Sequence, residues 1–174
     1  MKAAQTEAVP LPAKPDIHVD LDGTLILPVK NENGRWGHGL NMGLAQVLTE
    51  KQEEGHRIVL HTGGDKVSKS DQVAELFSQQ APALSGAAAV RGKEGRRGEV
   101  VELAIDDDPP ERLTHVYGLV IKQHIDVTDG GTRARTDAPY FREKISAAVD
   151  LLRPPTMTGP VTSVRLAQSQ NTLS

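Results

Sequence analysis

Apolar positions along this chain alternate between short β-type runs and helical spacing. The run Ile17-His18-Val19 predicts a first strand over residues 16–20. Ile26-Leu27-Pro28-Val29 followed by Asn33-Gly34, a dipeptide suited to tight turns, predicts a small β-hairpin flap near residues 26–37. Leu40, Leu44, Val47 and Leu48 then recur at helical spacing over 39–54, and Gly55 is placed to stop that helix. Ile58-Val59-Leu60 reads as a buried strand over 57–61 with Thr62 at its carboxyl end. A second helix is expected over 68–80, where Val73, Leu76 and Phe77 share a face and Pro82 follows as a stop. Three more strands are expected: 87–90, 100–105, and one within 116–127 centred on Val120-Ile121. Pro139 opens a last helix running to about residue 152. Strands alternating with helices predict a Rossmann-like three-layer α/β/α sandwich with a mainly parallel sheet of about five strands. In such sheets ligands bind beyond the carboxyl ends of the strands.

Composition narrows the chemistry. A chain of 174 residues suits one domain with a real core. Residues 1–15 and 153–174 lack apolar periodicity and read as flexible tails, leaving 16–152 as the folded domain. No stretch approaches the roughly 18 apolar residues of a membrane span, and none has the character of a secretory signal, so a soluble, cytoplasmic protein is expected. The absence of cysteine excludes thiolate metal sites and a cysteine nucleophile. A formal charge of −3 gives no strong nucleic-acid signal, and the local cluster Arg91, Lys93, Arg96, Arg97 reads as solvated surface. Acid/base work is left to carboxylates, hydroxyls, His and Lys.

Two acidic stretches stand where strands should end. In Ile17-His18-Val19-Asp20-Leu21-Asp22-Gly23-Thr24, Asp20 and Asp22 are two residues apart and share a strand face, and Gly23 permits a sharp turn. In Leu103-Ala104-Ile105-Asp106-Asp107-Asp108-Pro109-Pro110 a second apolar run delivers carboxylates in the same way. Oxygen ligands from two strand ends suit a hard cation such as Mg²⁺, with Asp20 and Asp106 as ligands and Asp107 as a ligand or its support. Between them lies His61-Thr62-Gly63-Gly64, where a hydroxyl and successive backbone N–H groups can receive an anion. His61 itself reads as a side chain packed beside the sheet, and His124 and Asp126 as solvent-facing.

The DLDGT string, the Thr after the second strand and the later acidic pair resemble, in order, the motifs of the haloacid dehalogenase (HAD) superfamily. The resemblance covers residues 16–108 in motifs and reaches 152 in element order. It implies a Mg²⁺-dependent phosphatase in which Asp20 is the nucleophile, forming an aspartyl-phosphate, and Asp22 the general acid/base. Asp22 marks a phosphatase, because the family's dehalogenases lack the second aspartate. Asp20, Asp22, Asp106 and Asp107 are the expected metal residues, the last two chosen over Asp108 because they lie nearest the strand. Thr62, Gly63 and Lys93 are expected to hold phosphate, with Lys66 the other candidate for the family's lysine. The short insertion after the first strand implies an open, capless or minimally capped site for a phosphorylated small molecule or macromolecule end, where Arg35, Trp36 and His38 of the flap could touch substrate. A HAD-like module that binds phosphate or metal without turnover is the main alternative. A Toprim-like nuclease would leave DLDGT unexplained, and a receiver-type domain would need its acidic pair on the first strand and its phosphorylated aspartate later.

Overall fold

The computed structural model describes residues 13–153, with Ala88 omitted. Apart from residues 13–15 and 153, the two tails expected from the sequence lie outside this range. Five strands form one sheet: β1 (Ile17–Asp20), β4 (Ile58–Thr62), β5 (Val90–Gly92), β6 (Val100–Asp106) and β7 (Val120–Asp126). Their order is β5-β4-β1-β6-β7 and every pairing is parallel. The hairpin after β1 is a separate two-stranded ribbon, β2 (Ile26–Lys30) against β3 (Trp36–Leu40). Its turn is closed by the Asn31 side chain, which accepts from the Asn33 and Arg35 amides, with Gly34 at φ 74°.

Four helices cover the sheet: α1 (Met42–Glu53), α2 (Lys66–Gln80), α3 (Pro110–Tyr117) and α4 (Ala138–Leu152). β3 runs on to Leu40, so α1 starts later than its apolar spacing implied; Asn41 caps it by accepting from the Leu44 amide. Asp65 caps α2 in the same way, through the Val67 and Ser68 amides. Ala87 belongs to a 3₁₀ turn over Pro82–Ala87 that buries Leu84, so the strand expected at 87–90 is displaced to Val90–Gly92.

The two faces are covered unequally. Ile17 and Val19 of β1 join Leu44 and Leu48 of α1, Val73 and Phe77 of α2, and Phe141 and Ile145 of α4 in the main core. On the other face Val101, Ala104, Leu113 and Leu119 form a small second cluster under α3. Residues two apart on a strand share a face, so His18 and Asp20 point away from the main core, toward this thinner side. The order of strands places the ends of β4, β1 and β6, and the residue after β5, along one edge. Asp20, Thr62, Lys93 and Asp106 are brought together in this way. No helix of the described residues is long and apolar enough to cross a membrane.

Candidate active site

The turn after β1 is tight because the Leu25 and Ile26 amides both donate to the Leu21 carbonyl, at 3.0 and 2.8 Å. Gly23 sits at φ +80°, a region that costs any other residue. A Cβ there would also lie 2.5 Å from Asp107 Oδ2, so glycine is what lets the Asp107 carboxylate approach the loop. Thr24, fully buried, donates its hydroxyl to Asp20 Oδ2 at 3.1 Å and fixes one oxygen of that carboxylate.

Lys93 fixes the other. Its Nζ lies 2.9 Å from Asp20 Oδ1, 2.8 Å from Asp106 Oδ2 and 3.7 Å from Asp108 Oδ2, and the residue is only 2% exposed. Its backbone amide donates to the Thr62 carbonyl at 2.8 Å, which anchors the lysine to the end of β4. Lys66, the other candidate, is exposed at the start of α2. The Thr62 side chain is 2% exposed, and its Oγ1 accepts from the Gly64 amide at 3.1 Å. Gly63 is held close under Tyr117, whose Oη would lie 2.5 Å from a Cβ at that position. Asp106 Oδ1 accepts from the Asp108 amide at 2.9 Å, which orients the acidic turn.

One oxygen from each of Asp20, Asp106 and Asp107 lies within 4.8 Å of the others, a set of hard donors that fits a Mg²⁺ ion. The crowding is visible in the electrostatics. Burial and the Asp106 carboxylate push the Asp20 carboxyl up to about 8, against the pull of Lys93. Burial also resists ionisation of Asp106, but the His61 ring and the Lys93 ammonium outweigh it and hold this carboxyl below its usual range. Burial would release the Lys93 proton, yet Asp20 and Asp106 keep its pKa above that of a free lysine. Asp107 is raised by burial and by the charges of Asp106 and Asp108. A divalent cation among the three carboxylates would relieve this repulsion.

The Asp22 side chain stands apart from that set. It is 53% exposed and its Oδ1 pairs with Lys69 Nζ of α2 at 2.7 Å. The structure therefore places Asp22 at the solvent-facing mouth, outside the metal-compatible cluster in which the sequence had grouped it.

Several residues in and behind the site were not singled out from the sequence. Thr24 and Lys69 position the two motif aspartates, and Lys93 Nζ lies 5.7 Å from the Tyr117 ring centroid. His61 is buried as expected, but its Nε2 lies 3.5 Å from Asp106 Oδ2 and its ring packs 5.6 Å from that of His18. Arg96 Nη2 in turn lies 3.2 Å from His18 Nε2. Arg96 also forks onto Glu99, at 2.6 and 2.9 Å, and with Arg91 holds that carboxyl down to about 2. The basic cluster is thus mostly spent on internal pairs, since Lys93, Arg91 and Arg96 all face carboxylates. His124 and Asp126, expected to face solvent, are half-buried. His124 Nε2 lies 2.8 Å from the Asp108 carbonyl, and Asp126 accepts from Thr128 and Gly130 to shape the next loop. Both side chains face local backbone groups that need partners.

The fold and site define an α/β protein with a lysine-bridged acidic cluster at the carboxyl edge of its parallel sheet. No protein-family model matches the chain, and no curated protein matches it. Among solved structures it is similar to a hypothetical protein from Xanthomonas campestris, with 16% identity, 79% of this chain and 85% of that chain covered, and a TM-score of 0.40. It is also similar to the 3-deoxy-D-manno-octulosonate 8-phosphate phosphatase from Moraxella catarrhalis, a structure in complex with magnesium, phosphate and KDO, at 14% identity, 78% and 87% coverage, and TM-score 0.38. The fission yeast RNA polymerase II CTD phosphatase Fcp1 is a third, at 16% identity, 92% of this chain but 55% of that one, and TM-score 0.37. Both of the latter are phosphatases by name. At these identities and scores the likeness is one of chain path and no more.

Proposed function

We propose that this chain is a HAD-type phosphomonoester hydrolase. One observation carries the reading: Asp20, Asp106 and Asp107 converge while Lys93 bridges Asp20 and Asp106. Phosphoryl transfer asks little of a protein beyond an in-line nucleophile and positive charge around the equatorial oxygens. Asp20 is the nucleophile, held by Thr24 on one oxygen and Lys93 on the other. It attacks phosphorus, the bond to the ester oxygen breaks, and an aspartyl-phosphate forms. Asp22 gives its proton to the departing oxygen, then takes one from the water that attacks phosphorus, so that phosphate leaves and Asp20 is regenerated. Thr62, the Gly63 backbone and Lys93 hold the remaining phosphoryl oxygens. Asp20, Asp106 and Asp107 would hold Mg²⁺, which when bound supplies the positive charge that keeps Asp20 ionised and stabilises the transferring group.

Asp22 acts from the mouth of the site, where Lys69 tethers it. That same tether is the observation favouring the second reading, a module that binds phosphate or metal without turnover. A panel of phosphomonoesters assayed for phosphate release with Mg²⁺ and with EDTA tests both. Mg²⁺-dependent release that is lost in Asp20→Asn is expected. Release indifferent to EDTA or to that substitution would overturn the proposed chemistry, and Mg²⁺ binding without any release would leave the binding module.

A further inference from the structure

Beside the acidic cluster lies a cavity of about 430 Å³, roofed by the β2–β3 ribbon and floored by the loop that follows β7. Gly23 and Asp107 form its inner wall, so it opens directly onto the proposed reaction centre. Its outer wall contains Leu27, Trp36, Thr132 and Arg133. The volume falls within the roughly 300–1,000 Å³ of small-molecule sites.

The outer wall carries an exposed indole and an exposed arginine. Trp36, the only tryptophan of the chain, is 68% exposed and so does little to pin the ribbon to the domain. Lys30 Nζ stands 4.9 Å from its ring centroid and adds positive charge beside it. In the loop, Arg135 is consumed by structure: it pairs with Asp129 at 3.0 Å and with Asp137 at 2.8 Å. Its backbone is equally tied, with the amide donating to Val127 and the carbonyl accepting from Asn41. Arg133 has no ion-pair partner among the described residues, although the loop that carries it is held by Asp126, Arg135 and Asn41. A built loop thus brings Arg133, unpaired among the described residues, to the wall of a cavity that the exposed Trp36 also lines, next to the proposed phosphoryl-transfer centre. Guanidinium suits a phosphate or carboxylate, and an indole face suits a flat ring.

Resting on the phosphohydrolase reading, we propose that this cavity holds the organic part of the substrate, a flat aromatic ring against Trp36 and a second anionic group against Arg133. Nucleotides carrying more than one phosphate have this chemistry. The cavity is the specificity site; Trp36 and Arg133 bind the leaving group and take no part in proton or phosphoryl transfer.

The test uses the full chain with adenosine 5′-monophosphate, adenosine 3′,5′-bisphosphate and ribose 5-phosphate in EDTA, followed by Trp36 fluorescence and by calorimetry. Stacking on an aromatic side chain is worth enough to expect adenosine monophosphate to bind about tenfold tighter than ribose 5-phosphate and to quench Trp36. The bisphosphate should bind about tenfold tighter again through its second anion. By calorimetry, Trp36→Leu should bring adenosine monophosphate down to the level of ribose 5-phosphate. Arg133→Gln should erase only the advantage of the bisphosphate. Equal affinity for ringed and ringless esters, or unchanged affinities in both variants, would overturn the proposal while leaving hydrolysis intact. Selective, Trp36-dependent binding in a chain that releases no phosphate with Mg²⁺ would support the cavity assignment and reject the catalytic one.

Discussion

Replacing Lys93 by Met removes a buried cation while keeping an unbranched side chain of similar reach. In the intact protein its Nζ faces Asp20 at 2.9 Å and Asp106 at 2.8 Å. Removing one partner of a buried ion pair costs about 3–5 kcal/mol, because the other charge is left unpaired. How much of this range applies depends on pH, because Asp20 titrates near pH 8. Its folded pKa is raised above the ordinary 3.8, so the folded state binds the extra proton. The stability this contributes is fully present below pH 3.8 and is lost as pH rises through 8. Near pH 6 Asp20 is largely neutral and the variant loses mainly the Asp106 contact, for a cost of about 3 kcal/mol. Near pH 9 Asp20 ionises in the intact protein, where Lys93 pairs with it, whereas loss of the ammonium pushes the variant's Asp20 carboxyl higher still and forfeits that pairing, so the cost rises toward about 5 kcal/mol. Urea unfolding followed by circular dichroism, in EDTA at both pH values, measures the difference. A loss below about 1 kcal/mol, or one that is the same at both pH values, would refute the claim that Lys93 neutralises this pair.

Gly23→Ala places a Cβ 2.5 Å from Asp107 Oδ2 at φ +80°; it should cost about 1–2 kcal/mol of stability and weaken Mg²⁺ binding about tenfold. Calorimetry should show no further weakening when Asp107→Asn is added, because the two changes act through one carboxylate. Gly43→Ala drives a Cβ to 1.9 Å from the Thr136 carbonyl, so α1 must shift from the loop before α4; a loss of about 1–3 kcal/mol and faster hydrogen exchange over residues 128–137 are expected. Burial, the His61 ring and the Arg96 charge lower His18 from 6.5 to about 4. This contribution is complete above pH 6.5 and is lost as pH falls through 4, by at most about 3 kcal/mol. His18→Gln should flatten the acid limb of a melting-temperature profile by that amount, and an unchanged slope would show that His18 is not buried neutral.

Much of this architecture is legible in the sequence because the strands carrying the site are apolar runs that end in chemistry. β1, β4 and β6 deliver Asp20, Thr62 and Asp106 at their last residues, and the short apolar runs before those residues are enough to find them. α3 escapes the same reading. Among its eight residues only Leu113 is buried, so no apolar stripe exists, and the Pro-Pro pair before Glu111 looks like a turn although Pro110 opens the helix. β5 is three residues long with none fully buried, which is why it is displaced from the expected position. In the site, the missing information concerns neighbours far apart in the chain. Lys69 reaches Asp22 across 47 positions, and Tyr117 meets Gly63 through the fold alone. Thr24 did carry a local signal, a hydroxyl four residues after Asp20 across a glycine turn. His61 shares a face with the site because it pairs in register with Asp20, a relation set by the strand order β4-β1.

The central claim is that Asp20 takes the phosphoryl group. It is tested most directly by stopping the Mg²⁺-loaded chain with acid during turnover of a phosphomonoester it hydrolyses and mapping the phosphoryl group by peptide mass spectrometry. Phosphate on the peptide containing Asp20, absent from Asp20→Asn and cleared when substrate is exhausted, is the expected result. Full-rate hydrolysis with no label on that peptide, or label retained in Asp20→Asn, would contradict it.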